Sequence, residues 1–337
     1  MASIKFLIIG AQKSGTTSLF EYLRRHPQIH MPQQKEMAFF STERNYRRGT
    51  ERYVKAILLG AQPGAACGEA SVAYMDGTPF GDLSKGEYAD LSSAPLHNGT
   101  LEEIVPNRIK ELLPDVRLIC VLRDPVQRSY SHYRMAVLDK AESRTFDDAV
   151  AQLLEPSALM TARVTPMINN SYIVNGEYFR VLNGFLRVFA REQLKVIFSD
   201  ELAERPAEVI SDAYRFIGVS DDFVPDNLST RYRTGATERR IDGLDLYALQ
   251  GRLTHAASVR AMWRALPGSI RDKIDRAFGV AGFRVELWNA RRERDSGDEG
   301  MAPNARSQLV AHFRQDSEAL EKALGTRIPW LTTWTRS

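Results

Sequence analysis

The sequence predicts an α/β protein whose central parallel sheet is flanked by helices, the three-layer arrangement of P-loop-type folds. Two short apolar runs, residues 6–9 and 116–122, are rich in Ile and Leu and are bounded by turn residues, as is typical of buried strands. Each run is followed by a segment with helical spacing of apolar residues. Successive strand–helix units place their strands parallel in one sheet, and ligands bind outside the carboxyl ends of such strands.

The composition is that of a water-soluble globular protein. With 337 residues, of which 43% are hydrophobic and 26% charged, the chain is expected to form one domain, residues 1–337. The net charge of +3 is too small to indicate a nucleic-acid partner, although it suits an anionic ligand. Cys67 and Cys120 lie in or beside apolar runs, which favours reduced core thiols over a disulfide.

No apolar stretch approaches the ~20 residues that span a bilayer, and the first apolar run is too short for a signal peptide. We therefore expect a cytoplasmic protein with no membrane span. The pattern does not predict an oligomeric state.

The first strand leads into a loop of small and polar residues, 10–15, before a helix begins. Such a junction directs backbone N–H groups at a phosphate. Gly10 and Gly15 have the spacing of the ATP-binding G-x-x-x-x-G-K-[ST] loop, but the lysine lies inside the loop, as Lys13. A lysine there suits a terminal group that leaves easily and needs no metal. The alternative is an ordinary strand-to-helix connection, which uses the same residue types.

A second polar signal follows the strand at 116–122. Arg123 stands at the strand end, directly before Asp124 and Pro125. A guanidinium forms bidentate bonds to phosphate. Because both strands end at one edge of the sheet, we expect Arg123 to lie near the loop that contains Lys13. The alternative is a helix-capping turn.

These two segments resemble the donor motifs of sulfotransferases that use 3′-phosphoadenosine 5′-phosphosulfate (PAPS). Residues 12–18, Gln-Lys-Ser-Gly-Thr-Thr-Ser, are similar to the family's 5′-phosphosulfate loop, most closely in its heparan-sulfate-type and bacterial carbohydrate branch. Residues 123–133, Arg-Asp-Pro-x-x-Arg-x-x-Ser-x-Tyr, resemble its 3′-phosphate segment. The resemblance implies that Arg123 and Ser131 bind the 3′-phosphate. It also implies a 5′-phosphosulfate site formed by Lys13, Ser14, Gly15, Thr16, Thr17 and Ser18.

The same resemblance implies a catalytic base. Glu36 stands three residues before the pair Phe39-Phe40, where heparan-sulfate-type enzymes carry the proposed base that deprotonates the acceptor. A carboxylate in a closed pocket has its pKa raised toward useful values, which suits that task. The alternative is a surface Lys–Glu pair before two buried aromatic residues, and Phe39 and Phe40 are themselves expected to be packing residues.

The sequence departs from the family pattern at one position near this base. Residues 68–74 are similar to the family's Gly-Glu-Lys-(Ser/Thr)-x-x-Tyr segment, but Ala70 stands in place of the lysine. In relatives that lysine is assigned to the sulfuryl group or the acceptor. Another cation must serve here, or the acceptor differs, and Lys35 is a candidate substitute.

Several further segments receive only coarse predictions. Residues 76–107 are expected to form a long loop that serves as a lid or part of the acceptor cleft. Arg233 lies in a basic Gly-containing segment placed where relatives carry a third donor loop, and a solvated basic stretch is the alternative. Residues 241–304 are expected to be a helical elaboration followed by a flexible segment.

The remaining segments are expected to be scaffold. We predict a long amphipathic helix over 172–189, a strand over 192–198, a helix over 209–217, a C-terminal helix from 309, and a polar connection over 157–170.

We therefore predict an enzyme that moves the sulfuryl group of PAPS to a hydroxyl or amine of a carbohydrate or small-molecule natural product. Transfer would be in line and direct, with Lys13 and Glu36 catalytic, 3′-phosphoadenosine 5′-phosphate (PAP) as product and no metal. Animal relatives are Golgi-membrane proteins, so a chain that starts at its first strand is expected to be bacterial. The alternatives are a P-loop nucleotide kinase or NTPase, disfavoured by the position of the lysine, and a non-catalytic PAP-binding protein.

Overall fold

A five-stranded sheet lies at the centre of the protein in the computed structural model, which describes residues 2–33, 35–77, 79, 100–230, 232 and 301–335. The strands are β1 (Ser3–Gly10), β2 (Ile29–His30), β3 (Ala66–Ala70), β4 (Arg117–Leu122) and β5 (Leu194–Phe198). Their order is β2-β3-β1-β4-β5, and every neighbouring pair is parallel. The predicted α/β class with a central parallel sheet is confirmed.

Helices connect the strands and cover the sheet. In chain order they are α1 (Thr16–Leu23), α2 (Glu43–Tyr46), α3 (Thr50–Leu58), α4 (Ile104–Leu112), α5 (Pro125–Leu138), α6 (Phe146–Leu153), α7 (Pro156–Val164), α8 (Tyr178–Val188), α9 (Ser199–Glu204), α10 (Pro206–Ile217), α11 (Pro303–Leu324) and α12 (Pro329–Trp334). Short 3₁₀ helices occupy Val72–Met75, Leu101–Glu103, Val174–Gly176 and Arg191–Gln193.

The core lies on both faces of the sheet. Residues 6–9 of β1 are completely buried, as expected for a central strand of a parallel sheet covered on both sides. Helix α11 packs against α5, α6 and α8. Residues 1–230 and 301–337 therefore belong to one structural unit, in which the C-terminal helices complete the core. Cys67 and Cys120 are buried free thiols, as predicted.

Glycine at position 68 of β3 is required by close packing against β1. A Cβ atom there would lie 2.4–2.5 Å from the ring of Phe6, which is itself completely buried. The absence of a side chain at this position lets the neighbouring strands and the Phe6 ring share one layer of the core.

The predicted start of the long helix over 172–189 is wrong. The segment breaks at Glu177, and α8 begins at Tyr178 after a short 3₁₀ turn. The carboxylate of Asp316, on α11, accepts hydrogen bonds from the N–H groups of Phe179 (2.9 Å) and Arg180 (3.0 Å). A cap supplied from a distant helix fixes this N-terminus, so the local sequence pattern does not reveal it.

Two other predictions also fail. The polar connection predicted over 157–170 contains α7, which starts with Pro156 in the first turn. Its apolar residues Met160 and Val164 are exposed, so the segment lacks the apolar stripe by which a helix is recognised. No strand was predicted at the two-residue strand β2, which forms by pairing with β3.

The other segments can be compared only in part. Helix α10 and strand β5 lie where a helix and a strand were expected. Residues 101–107, at the end of the predicted loop, are helical, whereas 80–99 lie outside the described residues. The same holds for Arg233 and for the elaboration predicted over 241–304, apart from its last residues. In the described part of the chain, no helix has the length and apolar character that a bilayer span requires.

Candidate active site

The loop after β1 and the turn after β4 lie at the same edge of the sheet. Strands β1 and β4 are parallel neighbours, with Gly10 opposite Cys120. Just past that pair, the N–H of Ala11 donates to the carbonyl oxygen of Val121 at 2.8 Å. The loop containing Lys13 and the turn containing Arg123 therefore start side by side, as predicted from the parallel sheet.

The N-terminus of α1 has the features of an anion site. Gly15 precedes the helix with φ 101°, a left-handed conformation that favours glycine. In the described part of the chain, the N-cap position of this helix makes no side-chain hydrogen bond, and its first turn contains no acidic residue. The positive end of the helix dipole and the first-turn N–H groups are thus left for an anion. Ser14, Thr16 and Ser18 are buried, whereas Lys13 and Thr17 are partly exposed.

Backbone strain is concentrated at the predicted catalytic residues. Among the described residues, four non-glycine residues have positive φ, and these include Lys13 (66°), Glu36 (67°) and Ala38 (46°). Such conformations are costly for residues with a Cβ atom, and they cluster at functional sites. The strain at Lys13 and Glu36 fits a role in which the direction of each side chain matters.

Glu36 is tied to the end of β3 and lies beside α1. Its N–H donates to the carbonyl oxygen of Ala70 (3.1 Å), and its Oε2 accepts from the N–H of Val72 (2.9 Å). Its Oε1 lies 3.5 Å from Nζ of Lys35. The same ammonium donates to the hydroxyl groups of two helix residues, Thr16 at 3.1 Å and Thr17 at 3.2 Å. Lys35 thus connects the predicted base to the predicted phosphosulfate loop.

A buried carboxyl group supports the backbone around Glu36. Glu69 accepts hydrogen bonds from Tyr53 (3.2 Å), Ser71 (2.8 Å) and Tyr74. Two of these hydroxyl groups also accept from the backbone of the Glu36 segment, Ser71 from Ala38 N–H at 2.8 Å and Tyr74 from the next N–H at 3.2 Å. Burial raises the pKa of Glu69 to about 7, despite the hydroxyl groups that favour its ionised form.

The predicted packing role of the aromatic pair is confirmed. Phe39 and Phe40 are buried, and Phe39 stacks on Tyr53 with ring centres 4.4 Å apart. Phe40 packs against both Tyr53 and Tyr74, so the aromatic pair supports the two tyrosines that donate to Glu69.

The raised pKa of Glu69 predicts how stability depends on pH. The folded protein binds this proton more tightly than the unfolded chain, whose pKa is 4.5, so the stabilisation is complete below that pH and is lost as pH rises through about 7. The free energy of unfolding of the wild type should fall between pH 5 and pH 8. In Glu69→Gln this fall should be smaller by on the order of 2–3 kcal/mol. Chemical denaturation at several pH values measures this.

Two other carboxyl groups limit that effect. Burial also raises the pKa values of Asp76, to about 7, and Asp316, to about 6, so the slope should shrink without disappearing. Glu51→Gln, an exposed change on α3, is the control and should leave the slope unaltered. An unchanged slope in Glu69→Gln would mean that this carboxyl group stays ionised.

The turn after β4 is organised by the residues that flank Arg123. Asp124 caps α5 by accepting from the N–H of Val126 at 2.8 Å, and its other oxygen accepts from Nε1 of Trp334 at 3.1 Å. The alternative of a helix-capping turn is therefore correct for Asp124. Arg123 is partly exposed and donates to the side chain of Gln127 at 3.1 Å. Ser131, also partly exposed, lies on α5.

The contact with Trp334 leads to a prediction for donor binding. Trp334→Phe removes the hydrogen bond to Asp124 but keeps an aromatic ring, so the affinity for PAP should fall by roughly two- to tenfold, the effect of losing one ordinary hydrogen bond that supports the turn. Isothermal titration calorimetry measures this. Trp330→Phe is the matched control, because Trp330 donates instead to Ser317. Unchanged affinity in Trp334→Phe would show that the turn keeps its shape without this bond.

Tyr178 connects the two predicted donor motifs. Its hydroxyl group donates to the carbonyl oxygen of Arg123 at 2.9 Å. Burial raises the pKa of Tyr178 to about 12, against the opposing influence of Arg128, of Ser14 in the loop after β1 and of the Arg123 carbonyl. The first residue of α8 therefore lies between the loop and the turn. Sequence reasoning treated it as scaffold.

A buried polar cluster lies behind the loop, and sequence reasoning missed most of it. Arg128 is completely buried and donates to the carbonyl oxygen of Tyr172. Nδ1 of His132 lies 3.4 Å from the guanidinium of Arg128. Burial, together with the charges of Arg128 and Lys13, holds the pKa of His132 well below its usual range. The ring is therefore neutral at neutral pH, which favours a structural role for this histidine.

The segment that leads to Arg233 is anchored on α1. The hydroxyl group of Tyr22 donates to the carbonyl oxygen of Thr230 at 2.7 Å, and the side chain of Asn227 donates to the carbonyl oxygen of Glu21 at 3.1 Å. At Thr230 the chain therefore lies against α1, the helix that follows the predicted phosphosulfate loop. Arg233 itself is outside the described residues, so its predicted role stays a prediction.

Comparison with known proteins identifies the family. Residues 3–233 match the model of the sulfotransferase domain. The bifunctional heparan sulfate N-deacetylase/N-sulfotransferase of Drosophila melanogaster is 27% identical over 224 residues, which are 64% of this chain and 20% of that protein. Form 4 of the same enzyme from Mus musculus is 28% identical over 229 residues, 65% of this chain and 23% of that protein. The chain thus matches about a fifth of the length of these relatives.

A solved structure shares the fold along nearly the whole chain. The sulfotransferase from Alicyclobacillus acidocaldarius superposes with a TM-score of 0.60 at 24% identity, covering 97% of this chain and 98% of that one. At this identity the likeness establishes the fold alone. Because the domain model covers more than half of the sequence, the chain belongs to the family of PAPS-dependent sulfotransferases.

Proposed function

We propose that this protein transfers the sulfuryl group of PAPS to a hydroxyl or amine group of a carbohydrate or small-molecule acceptor and releases PAP. The observation that carries the proposal is the shared sheet edge. There the uncapped N-terminus of α1 and Lys13 stand beside the turn of Arg123, with Glu36 joined to α1 through Lys35. Two cationic phosphate sites next to a carboxylate are what a doubly phosphorylated sulfuryl donor and an acceptor require.

In this proposal the donor lies across the carboxyl ends of β1 and β4. The N–H groups and side chains of residues 13–18 hold the 5′-phosphosulfate, while Arg123 and Ser131 hold the 3′-phosphate. The lack of an acidic residue in the first turn of α1 supports an anion there. Arg233 completes the 3′-phosphate site in this scheme.

Glu36 acts as the general base in the proposed mechanism. It takes the proton of the acceptor hydroxyl or amine as that atom forms a bond to sulfur. The bond between sulfur and the bridging oxygen breaks, and its electron pair stays on the 5′-phosphate of PAP. Lys13 and the loop N–H groups stabilise the charge that develops on the bridging oxygen. The hydrogen bond from Val72 holds one carboxylate oxygen of Glu36, and the other faces Lys35.

For the acceptor we favour a carbohydrate, with a small-molecule natural product as the second class. The similar animal enzymes are named as heparan sulfate N-sulfotransferases, which supports a sugar acceptor and an amine as the alternative nucleophile. We also propose a bacterial cytoplasmic enzyme, since the two buried unpaired thiols suit a reducing compartment.

An acceptor screen tests the proposed function. The protein is incubated with PAPS carrying a heavy sulfur isotope and with panels of sugars, amino sugars and phenolic natural products, and products are read by mass spectrometry. We expect a labelled sulfated product and an equal amount of PAP, undiminished by EDTA. A protein that binds no PAP, or that turns over ATP with Mg²⁺ instead, would contradict the proposal.

A further inference from the structure

The ammonium group of Lys35 occupies an unusual position for a lysine side chain. The side chain of Lys35 is 12% exposed. Its ammonium group lies between the hydroxyl groups of Thr16 and Thr17 on one side and the carboxylate of Glu36 on the other. The two hydroxyl groups stand on the first turn of α1, where the terminal group of an anion bound to the loop would end. The ammonium of Lys35 thus contacts both the anion site at α1 and the predicted base, Glu36.

The partners of Lys35 suggest that this arrangement changes when the donor arrives. The contact with Glu36 is loose, because 3.5 Å is longer than a charge-assisted hydrogen bond between an ammonium and a carboxylate. The sulfuryl oxygens of a donor bound at α1 would approach the same ammonium. Its contact with Glu36 also occupies Oε1, and the other carboxylate oxygen already accepts from Val72 N–H, so neither oxygen is open to the proton of an acceptor.

We propose that Lys35 binds the sulfuryl group of the donor and that, in moving to it, the ammonium leaves Glu36 and thereby releases the acceptor base. This inference rests on the proposed function. It also explains how the site works without the family lysine at position 70, since Lys35 supplies a cation at the first turn of α1. Lys35 is a catalytic residue in this scheme, because it touches the transferred group.

The chemical step balances without a further reagent. Lys35 stays protonated throughout and forms hydrogen bonds to the sulfuryl oxygens. The acceptor proton goes to Glu36, the new bond forms between acceptor and sulfur, and the electron pair of the broken S–O bond goes to PAP. No oxidant, reductant or metal takes part in this step.

The difference between PAPS and PAP provides the test, because PAP has both phosphates but lacks the sulfuryl group. Calorimetry with each ligand is carried out on the full-length wild type, Lys35→Met and Lys35→Arg. In Lys35→Met the affinity for PAPS should fall by roughly tenfold to a hundredfold, as when a charge-assisted hydrogen bond is lost, and the affinity for PAP should not change. Lys35→Arg should restore part of the lost affinity. Lys55→Met, an exposed change on α3, is the matched control.

A double-mutant cycle with Glu36 tests the release of the base. Glu36→Gln breaks the contact with Lys35, so it should tighten the binding of PAPS, but not of PAP, by a few-fold. The tightening should vanish in Lys35→Met/Glu36→Gln. If it persists there, simple repulsion between Glu36 and the donor explains it, and the release of the base by Lys35 is overturned.

The outcomes separate this inference from the function on which it rests. If Lys35→Met changes PAPS and PAP binding equally, Lys35 merely supports α1 and the inference is overturned. It is also overturned if neither affinity changes while the wild type binds both ligands. A wild type that binds neither ligand would instead refute the proposed function.

Discussion

Glu36→Gln is expected to lower kcat for sulfuryl transfer by roughly 10²–10⁴-fold, the usual contribution of a positioned general base. Glutamine is nearly isosteric with glutamate, and it can accept the hydrogen bond from Val72 N–H that positions the side chain. It cannot take a proton from the acceptor. The strained backbone at this residue, with φ 67°, should also be retained. The affinity for PAP should remain that of the wild type, because Glu36 does not contact the predicted phosphate sites.

Steady-state kinetics with an acceptor from the screen measures this effect. Glu51→Gln, which removes a carboxylate on the exposed side of α3, should keep full turnover. If Glu36→Gln also turned over at the wild-type rate, the base would be another group, while the assignment of the donor site would stand.

Arg123→Ala is expected to weaken PAP binding by roughly tenfold to a hundredfold, since a guanidinium forms charge-assisted, bidentate bonds to phosphate. The loss should be confined to ligands with a 3′-phosphate. Adenosine 5′-monophosphate lacks that group, so the wild type should bind it weakly and Arg123→Ala should bind it no less well. The variant therefore loses discrimination between the two nucleotides, which a general disturbance of the fold would not produce.

Arg187→Ala is the control for this measurement. Arg187 lies on α8, its side chain is 58% exposed, and it pairs with Glu103 away from the sheet edge. If Arg123→Ala bound PAP as tightly as the wild type, the 3′-phosphate would be held elsewhere, and the shared sheet edge would lose its functional meaning.

The sequence was most informative about elements with a strong local signal. The apolar runs of β1 and β4, the small-residue loop between Gly10 and Gly15, and the Arg123 turn indicate their structures from neighbouring residues alone. The parallel arrangement then follows from the connections, which is why the edge shared by the loop and the turn was predictable.

The rest depended on contacts between residues far apart in the chain. Asp316 fixes the start of α8 from α11, and Trp334 holds Asp124 from α12. Neither contact leaves a pattern in the segments it stabilises, so the helix boundary and the support of the turn were missed.

The same reason explains the missed parts of the site. The sequence offers Lys35 as a candidate substitute for the family lysine that Ala70 replaces. Its contacts with Thr16 and Thr17, however, arise only when the chain folds back on α1. Tyr178 occupies a typical packing position in an amphipathic helix, and its contact with the Arg123 turn appears only once that helix is placed against the sheet.

The most direct measurement is a crystal structure of the protein with PAP bound. We expect one PAP molecule across the carboxyl ends of β1 and β4, with its 5′-phosphate on Lys13 and the first turn of α1, its 3′-phosphate on Arg123 and Ser131, and Glu36 and Lys35 facing the 5′ end. A PAP molecule that contacts only one of the two motifs, or that binds away from this sheet edge, would contradict the account.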